Sequence, residues 1–555
     1  MKLKYKKRHL TVKPGETLYE VSKTVKGEYK YPIVGAKLGN KLTDLNEKVQ
    51  SDNTIEFYDL STSIGNRIYS RSLEFLTTYA SKIVLGNDTD IHINYSLENG
   101  IYCEIVGKKI QATSVKKIEN EMKELVKQKI PFQNVIVDRY EAIKYLKKVG
   151  QIDKANTLKY ITDDTISIHL LNDMYDYFYG PLVYNTSILT NFKLKYNKEN
   201  SFILMYPSTE SPDKINKYIE HPLTNKTYKN FYKWGKDVGI TTVPQINDII
   251  AIGQGEAVVS LYEAHYNEEI SEVIEEVYKR KNKVKMILLA GPSSSGKTTT
   301  AKKIGLYLRV KGIRYKQISL DDFFVDREKT PLDENGNYDF ADINALDIKL
   351  FKKQLQRILK GQKVLMPTYD FVIGKRTYKD NYIKLEKGEM LVIEGIHTLN
   401  EYLTDVVPRD EKFKIFQCPL VNLKLDNHNR IHTTDVRKIR RIVRDNTYRG
   451  NSAEETLKMW PNVDKEAKKN IYPYQDDADA IINSSLGYEL SSLRIYAEPL
   501  LYGIDVNSPQ YPEAKRLLKL LRNFLTISSE MVPKDSILRE FIGGSIFKDY
   551  KERKW

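Results

Sequence analysis

Gly291 to Thr298, in the run GPSSSGKT, fit the pattern G-x-x-x-x-G-K-[ST]. In that pattern glycine-rich backbone wraps phosphate oxygens, the lysine reaches the β/γ-phosphates and the last hydroxyl binds Mg²⁺. The run sits between an apolar stretch, VKMILLAG, and a helical pattern, TTTAKKIGLYLRVKG. A buried strand, a turn and then a helix is the order the chemistry requires, because the first N–H groups and the positive dipole end of the helix face the anion. Gly291, Ser293, Ser294, Ser295, Gly296, Lys297, Thr298 and Thr299 are therefore candidate ATP-binding residues. Two further apolar runs end in carboxylates: YKQISLDDFF at Asp321 and Asp322, and EMLVIEG at Glu394. In an open parallel sheet the working residues stand at the carboxyl ends of strands. Asp321 is placed to accept the proton of an attacking hydroxyl, Asp322 to cap the next turn, and Glu394 to hold Mg²⁺ with Thr298.

Elements that could position these groups follow from hydrophobic periodicity. RHLTVKP and NTIEFYDL read as strands around a helix, TLYEVSKTV, and DIHINYSL and IYCEIVG read as two more strands. From Ser114, the residues Val115, Ile118, Met122, Leu125 and Val126 step by threes and fours, giving an amphipathic helix that ends before Pro131. YPSTESPDK is a loop signal, with a boundary near Tyr206, and EEISEVIEEVYKRKNK is a charged helix carrying the chain towards the phosphate turn. Near the end, AKRLLKLLRNFL gives a helix whose Leu517, Leu518, Leu520, Leu521 and Leu525 form a face for packing or for a homo-oligomer contact. The tail YKERKW reads as frayed.

With their spacing, GPSSSGKTTT, ISLDDFF, MPTYDFVIGKR and LVIEGIH resemble the uridine kinase and phosphoribulokinase family over residues 284–490. The resemblance implies ATP-dependent phosphorylation of a nucleoside 5′-hydroxyl, with Asp321 as catalytic base and Glu394 on the metal side. It also implies that Tyr369 and Arg376 lie beside the nucleoside, and that Phe340 and Asp342, in the loosely matching YDFADINALD, contact the substrate. RKIRRIVRDNTYRGNSAEET resembles the family's arginine-rich lid. Arg441 would bind ATP, and Arg444 and Arg449 would act on the transferring phosphoryl group as the lid closes at a Gly450 hinge. One departure stands out: Gly374 occupies the position of a base-reading histidine, five residues past the tyrosine. A kinase of another nucleoside or a pentose phosphate, and an ATP-dependent RNA-binding or regulatory protein, stay open as alternatives.

The front half is similar to the TGS domain and second domain of threonyl-tRNA synthetase, from HLTVKPGETLYEVSKTV through YDYFYGPLVYNTSILTNFKL. At the four positions of the synthetase's editing histidines and cysteine this chain carries Arg71, Phe75, Phe178 and Leu182. Phenylalanine and leucine neither bind metal nor move protons, so the expectation is a retained fold with an apolar plug in place of hydrolytic chemistry. The alternative is a pocket that holds a nucleoside or an RNA end without reacting.

The whole reads as α/β. A P-loop kinase domain with a parallel sheet (284–490) follows a β-grasp-like TGS module (1–62), an α+β editing-like domain (63–200) and a helical connector (201–283), and precedes a helical extension (491–555). A length of 555 residues with 41% hydrophobic side chains accommodates several cores. No apolar run is long enough for a membrane span or a signal peptide, and Cys103 and Cys418 stand alone, so a cytoplasmic location without disulfides is expected. The net charge of +15 is spread among acids throughout the chain, which reads as solvated helix faces ahead of a nucleic-acid surface. HNRIH places His428 and His432 four apart, as on one helix face, too few ligands for zinc; His397 is expected to make a structural hydrogen bond and His265 to lie in the connector helix.

Overall fold

The computed structural model describes residues 1–97, 100–333, 336, 338–371 and 373–547. The YKERKW tail lies outside the described residues. At the front, the strands Arg8–Thr11, Lys2–Tyr5, Asn53–Asp59, Ile33–Leu38 and Lys41–Thr43 form a mixed sheet in that order, with Lys2–Tyr5 parallel to Asn53–Asp59. Helix Leu18–Val25 begins at Thr17, which with Glu20 makes a capping box, and buries Leu18, Val21 and Val25 on that sheet.

A four-stranded antiparallel sheet follows, ordered Lys193–Asn197, Ser201–Met205, Gly100–Val106 and Asp90–Leu97. The strand Ser201–Met205 is interior to it, so the sheet runs past residue 200, where the sequence placed the start of the connector. Helices Ser63–Leu85 and Ala112–Lys127 pack with it around one core; Val115, Ile118, Met122 and Leu125 face inward, while Val126 is only partly buried. Phe75, Phe178 and Leu182 lie in this core, with the two rings 5.2 Å apart, which is the apolar plug expected from the sequence. Three helices, Pro222–Asp237, Val243–Ala251 and Gly255–Lys279, then lead to the rear half, and His265 stacks on Trp234 at 4.0 Å.

The rear half is built on five parallel strands in the order Tyr315–Ser319, Met390–Glu394, Met286–Ala290, Lys412–Cys418 and Ala480–Asn483. Every residue of Met286–Ala290 and Met390–Glu394 is buried, as a strand covered on both faces requires. The terminal helices Glu489–Tyr502 and Tyr511–Leu521 join the same core through Leu493, Leu501, Leu517 and Leu521. Leu525 lies beyond the helix end and is half-buried.

HNRIH is not helical. Lys424–Asp426 and Asn429–Arg430 form a short antiparallel hairpin that enters the front half. There the Ile93 N–H donates to the Asn427 carbonyl at 2.8 Å and Thr157 Oγ1 donates to the Leu425 carbonyl at 2.9 Å. At the hairpin tip His428 Nδ1 lies 2.7 Å from Asp176 and 2.9 Å from Lys154, which itself pairs with Asp176. Burial and the Lys154 charge push the His428 pKa well below its ordinary value. Removing one partner from such a fully enclosed ion pair strands the other charge. Lys154→Met is expected to destabilise the protein by about 3–5 kcal/mol, seen as a lower denaturant midpoint, whereas Lys159→Met, in an exposed pair, leaves the midpoint nearly unchanged.

Candidate active site

The phosphate turn is shaped by a close backbone approach at Gly291 and by left-handed backbone further along. A Cβ on Gly291 would lie 2.0 Å from the Gln417 carbonyl oxygen, and Gly296 (φ +89°) and Ser294 (φ +63°) both take left-handed conformations. Gln417 donates from Nε2 to the Ser295 carbonyl at 2.9 Å and to Thr300 Oγ1 at 2.8 Å, which ties the turn to the adjacent strand. The hydroxyls of Ser294 and Ser295 are buried without a hydrogen-bond partner. Burial drives the Lys297 pKa down from its usual value, and the ammonium donates to the Pro292 carbonyl at 3.2 Å. Idle buried hydroxyls, a desolvated cation and a helix N-terminus converge here on one space, and this donor set fits a polyphosphate.

The neighbouring strand ends supply the acids. Strand register sets Glu394 beside Ser319 on one side and Leu289 on the other, next to the turn. Ser319 Oγ donates to Glu394 Oε1 at 2.7 Å, and Thr298 Oγ1 lies 3.5 Å from the same atom. Burial first, then the charge of Asp321, raise the Glu394 pKa to about 7. Two carboxylates in mutual repulsion beside a hydroxyl fit a divalent cation carried by phosphates. Asp322 does not cap the following turn. Its Oδ1 accepts from the Tyr369 N–H at 3.3 Å and so fastens a β-hairpin to the end of strand Tyr315–Ser319; burial raises its pKa to about 6.

That hairpin, Val364–Asp370 with Lys375–Ile383, carries Tyr369. The Tyr369 ring lies 5.5 Å from Phe324 and 5.1 Å from Phe371, and its hydroxyl is buried without a partner. Phe340 meets Phe324 edge-on at 6.2 Å, which places it at the rim of the same aromatic group. Two expected substrate contacts are engaged elsewhere. Arg376 pairs with Asp347 at 2.9 Å, and Asp342 Oδ1 accepts from the Asn344 N–H at 2.7 Å, closing its own turn. Gly374 (φ +70°) is covered by Arg327, whose Nε would lie 2.7 Å from a Cβ there and whose guanidinium donates to the Phe371 carbonyl at 2.7 Å. His397 is buried, and burial lowers its pKa to about 4 against a backbone hydrogen bond at Ala341, the structural role expected for it.

Helix Thr433–Tyr448 lies across the turn. Arg441 donates to Ser293 Oγ at 2.9 Å, and Arg444 and Arg449 gather around Asp445 at 2.6 and 3.7 Å. Burial would raise the Asp445 pKa, but Arg444, Arg441 and Arg449 together hold it below the usual value. Arg449 also lies over the Phe371 ring at 4.8 Å, so this helix end reaches the Tyr369 hairpin. Sequence reasoning missed Arg437 and Arg440, which point inward: Arg437 donates to the Ser293 carbonyl at 3.1 Å, and Arg440 to those of Ser484 at 2.6 Å and Ser294 at 3.4 Å. It also passed over Phe324 and Phe371, although both stand in the quoted motifs; Gln417 carries no sequence signal.

A parallel sheet with a phosphate-binding turn at its centre strand, acids at the next strand end and an arginine helix above defines a P-loop phosphotransferase. Residues 286–488 match the model of the Phosphoribulokinase / Uridine kinase family. A uridine kinase of Borrelia duttonii is 32% identical over 222 residues, covering 38% of this chain and 93% of that one, and a uridine kinase of Halobacterium salinarum is 28% identical over 215 residues, covering 86% of its length. The chain belongs to this family and is a phosphotransferase with an alcohol group as acceptor. A threonine–tRNA ligase of Caldanaerobacter subterraneus is 22% identical over 241 residues, which cover 41% of this chain and only 37% of the ligase. Among the described residues no helix is long and apolar enough to cross a membrane.

Because the Gly291 contact is with backbone, relaxation cannot relieve it cheaply. Gly291→Ala is expected to lower the thermal midpoint by a few degrees, about 1 °C per kcal/mol at this size, and to abolish nucleotide binding measured by calorimetry; Gly312→Ala, at a position with open space around it, leaves nucleotide binding intact.

Proposed function

We propose that this chain transfers the γ-phosphoryl group of ATP to the 5′-hydroxyl of a nucleoside, with uridine as the acceptor. The observation that carries this reading is the aromatic hairpin around Tyr369, fastened by Asp322 to the strand end that bears Asp321. A planar base can stack against the exposed rim of this group, where Phe340 and Phe371 are each 38% exposed. The Asp321 carboxylate, in no ion pair among the described residues, accepts the proton of the 5′-hydroxyl as the oxygen attacks phosphorus in line. Lys297 and the Ser293–Thr299 backbone hold the polyphosphate. Arg441, Arg444 and Arg449 offset charge on the transferring group and exclude water. Thr298 and Glu394 would hold Mg²⁺, which when bound neutralises the β- and γ-phosphate oxygens.

With ATP and Mg²⁺, purified protein is expected to phosphorylate uridine ahead of other nucleosides and pentose phosphates. Asp321→Asn should lower kcat by about 10²–10⁴-fold with ATP affinity preserved. If no nucleoside is phosphorylated, or the variant keeps full activity, the reading fails.

A further inference from the structure

A cavity of about 60 Å³ lies where the hairpin and the start of helix Thr433–Tyr448 meet the front half. Five lysine and arginine side chains line it against two carboxylates, Glu74 and Asp435. Some of these charges are matched: Arg516 holds Asp435 at 2.7 Å and Arg67 reaches Glu513 at 3.1 Å. Others are not. The Arg430 side chain is 8% exposed, its buried Nε has no hydrogen-bond partner, and Glu74 stands 3.8 Å away. Among the described residues Arg71 donates only to the Pro181 carbonyl. Two enclosed guanidinium groups sharing one carboxylate at long range are under-compensated, and a further anion would offset that cost. The size and donor set point to a tetrahedral oxyanion, and we propose that this cavity binds a phosphate group, free or as a phosphomonoester. His432 is the N-cap of the helix whose far side holds the phosphate turn, so the bound anion would steady that helix.

The test is the thermal midpoint with inorganic phosphate, in parallel with ribose 5-phosphate, on wild type, Arg430→Gln, Arg71→Gln and Lys297→Ala. At saturation, a rise of about 2–4 °C is expected in wild type and Lys297→Ala, and a reduced or absent rise in Arg430→Gln and Arg71→Gln. The ligand giving the shift at lower concentration identifies free or esterified phosphate. A shift kept in both arginine variants, or lost in Lys297→Ala, places the anion elsewhere and overturns the proposal.

A second observation, independent of the cavity, concerns the end of the chain. Glu540, in the short helix Arg539–Ile542, accepts from the Thr299 N–H at 3.2 Å and from Thr299 Oγ1 at 3.0 Å. Thr299 lies in the first turn of the helix after the phosphate turn, whose N–H groups cradle the inner phosphates of a bound nucleotide. The carboxylate is held in place: Arg539 donates to the Ser529 carbonyl at 2.7 Å, and buried Phe541 lies under the Arg440 guanidinium at 5.3 Å. We infer that Glu540 occupies a phosphate position and competes with nucleotide, so that the C-terminal segment restrains the site until displaced. This rests on the turn being a nucleotide site. Calorimetry with ADP is expected to give affinity about tenfold higher for Glu540→Gln and Glu540→Ala than for wild type. Unchanged or weaker binding by variants with wild-type thermal midpoints overturns the inference. Absence of binding by wild type and variants alike overturns the nucleotide reading instead.

Discussion

Guanidinium groups cannot be buried without partners, and the helix Thr433–Tyr448 buries several. Arg437 and Arg440 are fully enclosed; they satisfy themselves on the carbonyls of Ser293 and Ser294 and on Glu489. Those carbonyls belong to the phosphate turn and Glu489 to the first C-terminal helix, so one set of buried charges joins the arginine helix, the turn and the extension. The same helix starts from His432, at the end of the hairpin that enters the front half. A displacement at either end would unseat hydrogen-bonded charges in low dielectric, and this makes the helix a stiff connection between regions far apart in sequence.

The front half is joined to the rear half by chemistry rather than by a loose linker. Lys154, Asp176, Asp426 and His428 are all buried, and the cluster is complete only when residues from both halves are present. Such an arrangement adds little net stability over an apolar contact, but it specifies one docking geometry, because a misplaced hairpin would leave an unpaired charge. Phe75, Phe178 and Leu182 fill the adjacent core, while Arg71 turns away to the cavity beside the hairpin.

On the Tyr369 hairpin, Arg327 takes the corner opened by Gly374. A side chain at that glycine would have to displace the guanidinium, which is anchored on the Phe371 carbonyl.

The sequence by itself determined the parts whose signal is local. The turn from Gly291 to Thr298, the strands ending at Asp321 and Glu394, the helix Ala112–Lys127 and the apolar replacements at Phe75, Phe178 and Leu182 are each legible from residue type and spacing, because a strand end or a helix face is fixed by neighbours in the chain. Tertiary structure decided what depends on partners distant in sequence. Asp322 holds the Tyr369 backbone instead of capping its own turn, Arg376 is spent on Asp347, and the HNRIH histidines fall on a hairpin between the halves. Glu540 reaches Thr299 across 241 positions. Nothing in the local pattern marks these residues, since a carboxylate or guanidinium takes its role from whichever opposite charge or idle N–H the folded chain brings within hydrogen-bond reach.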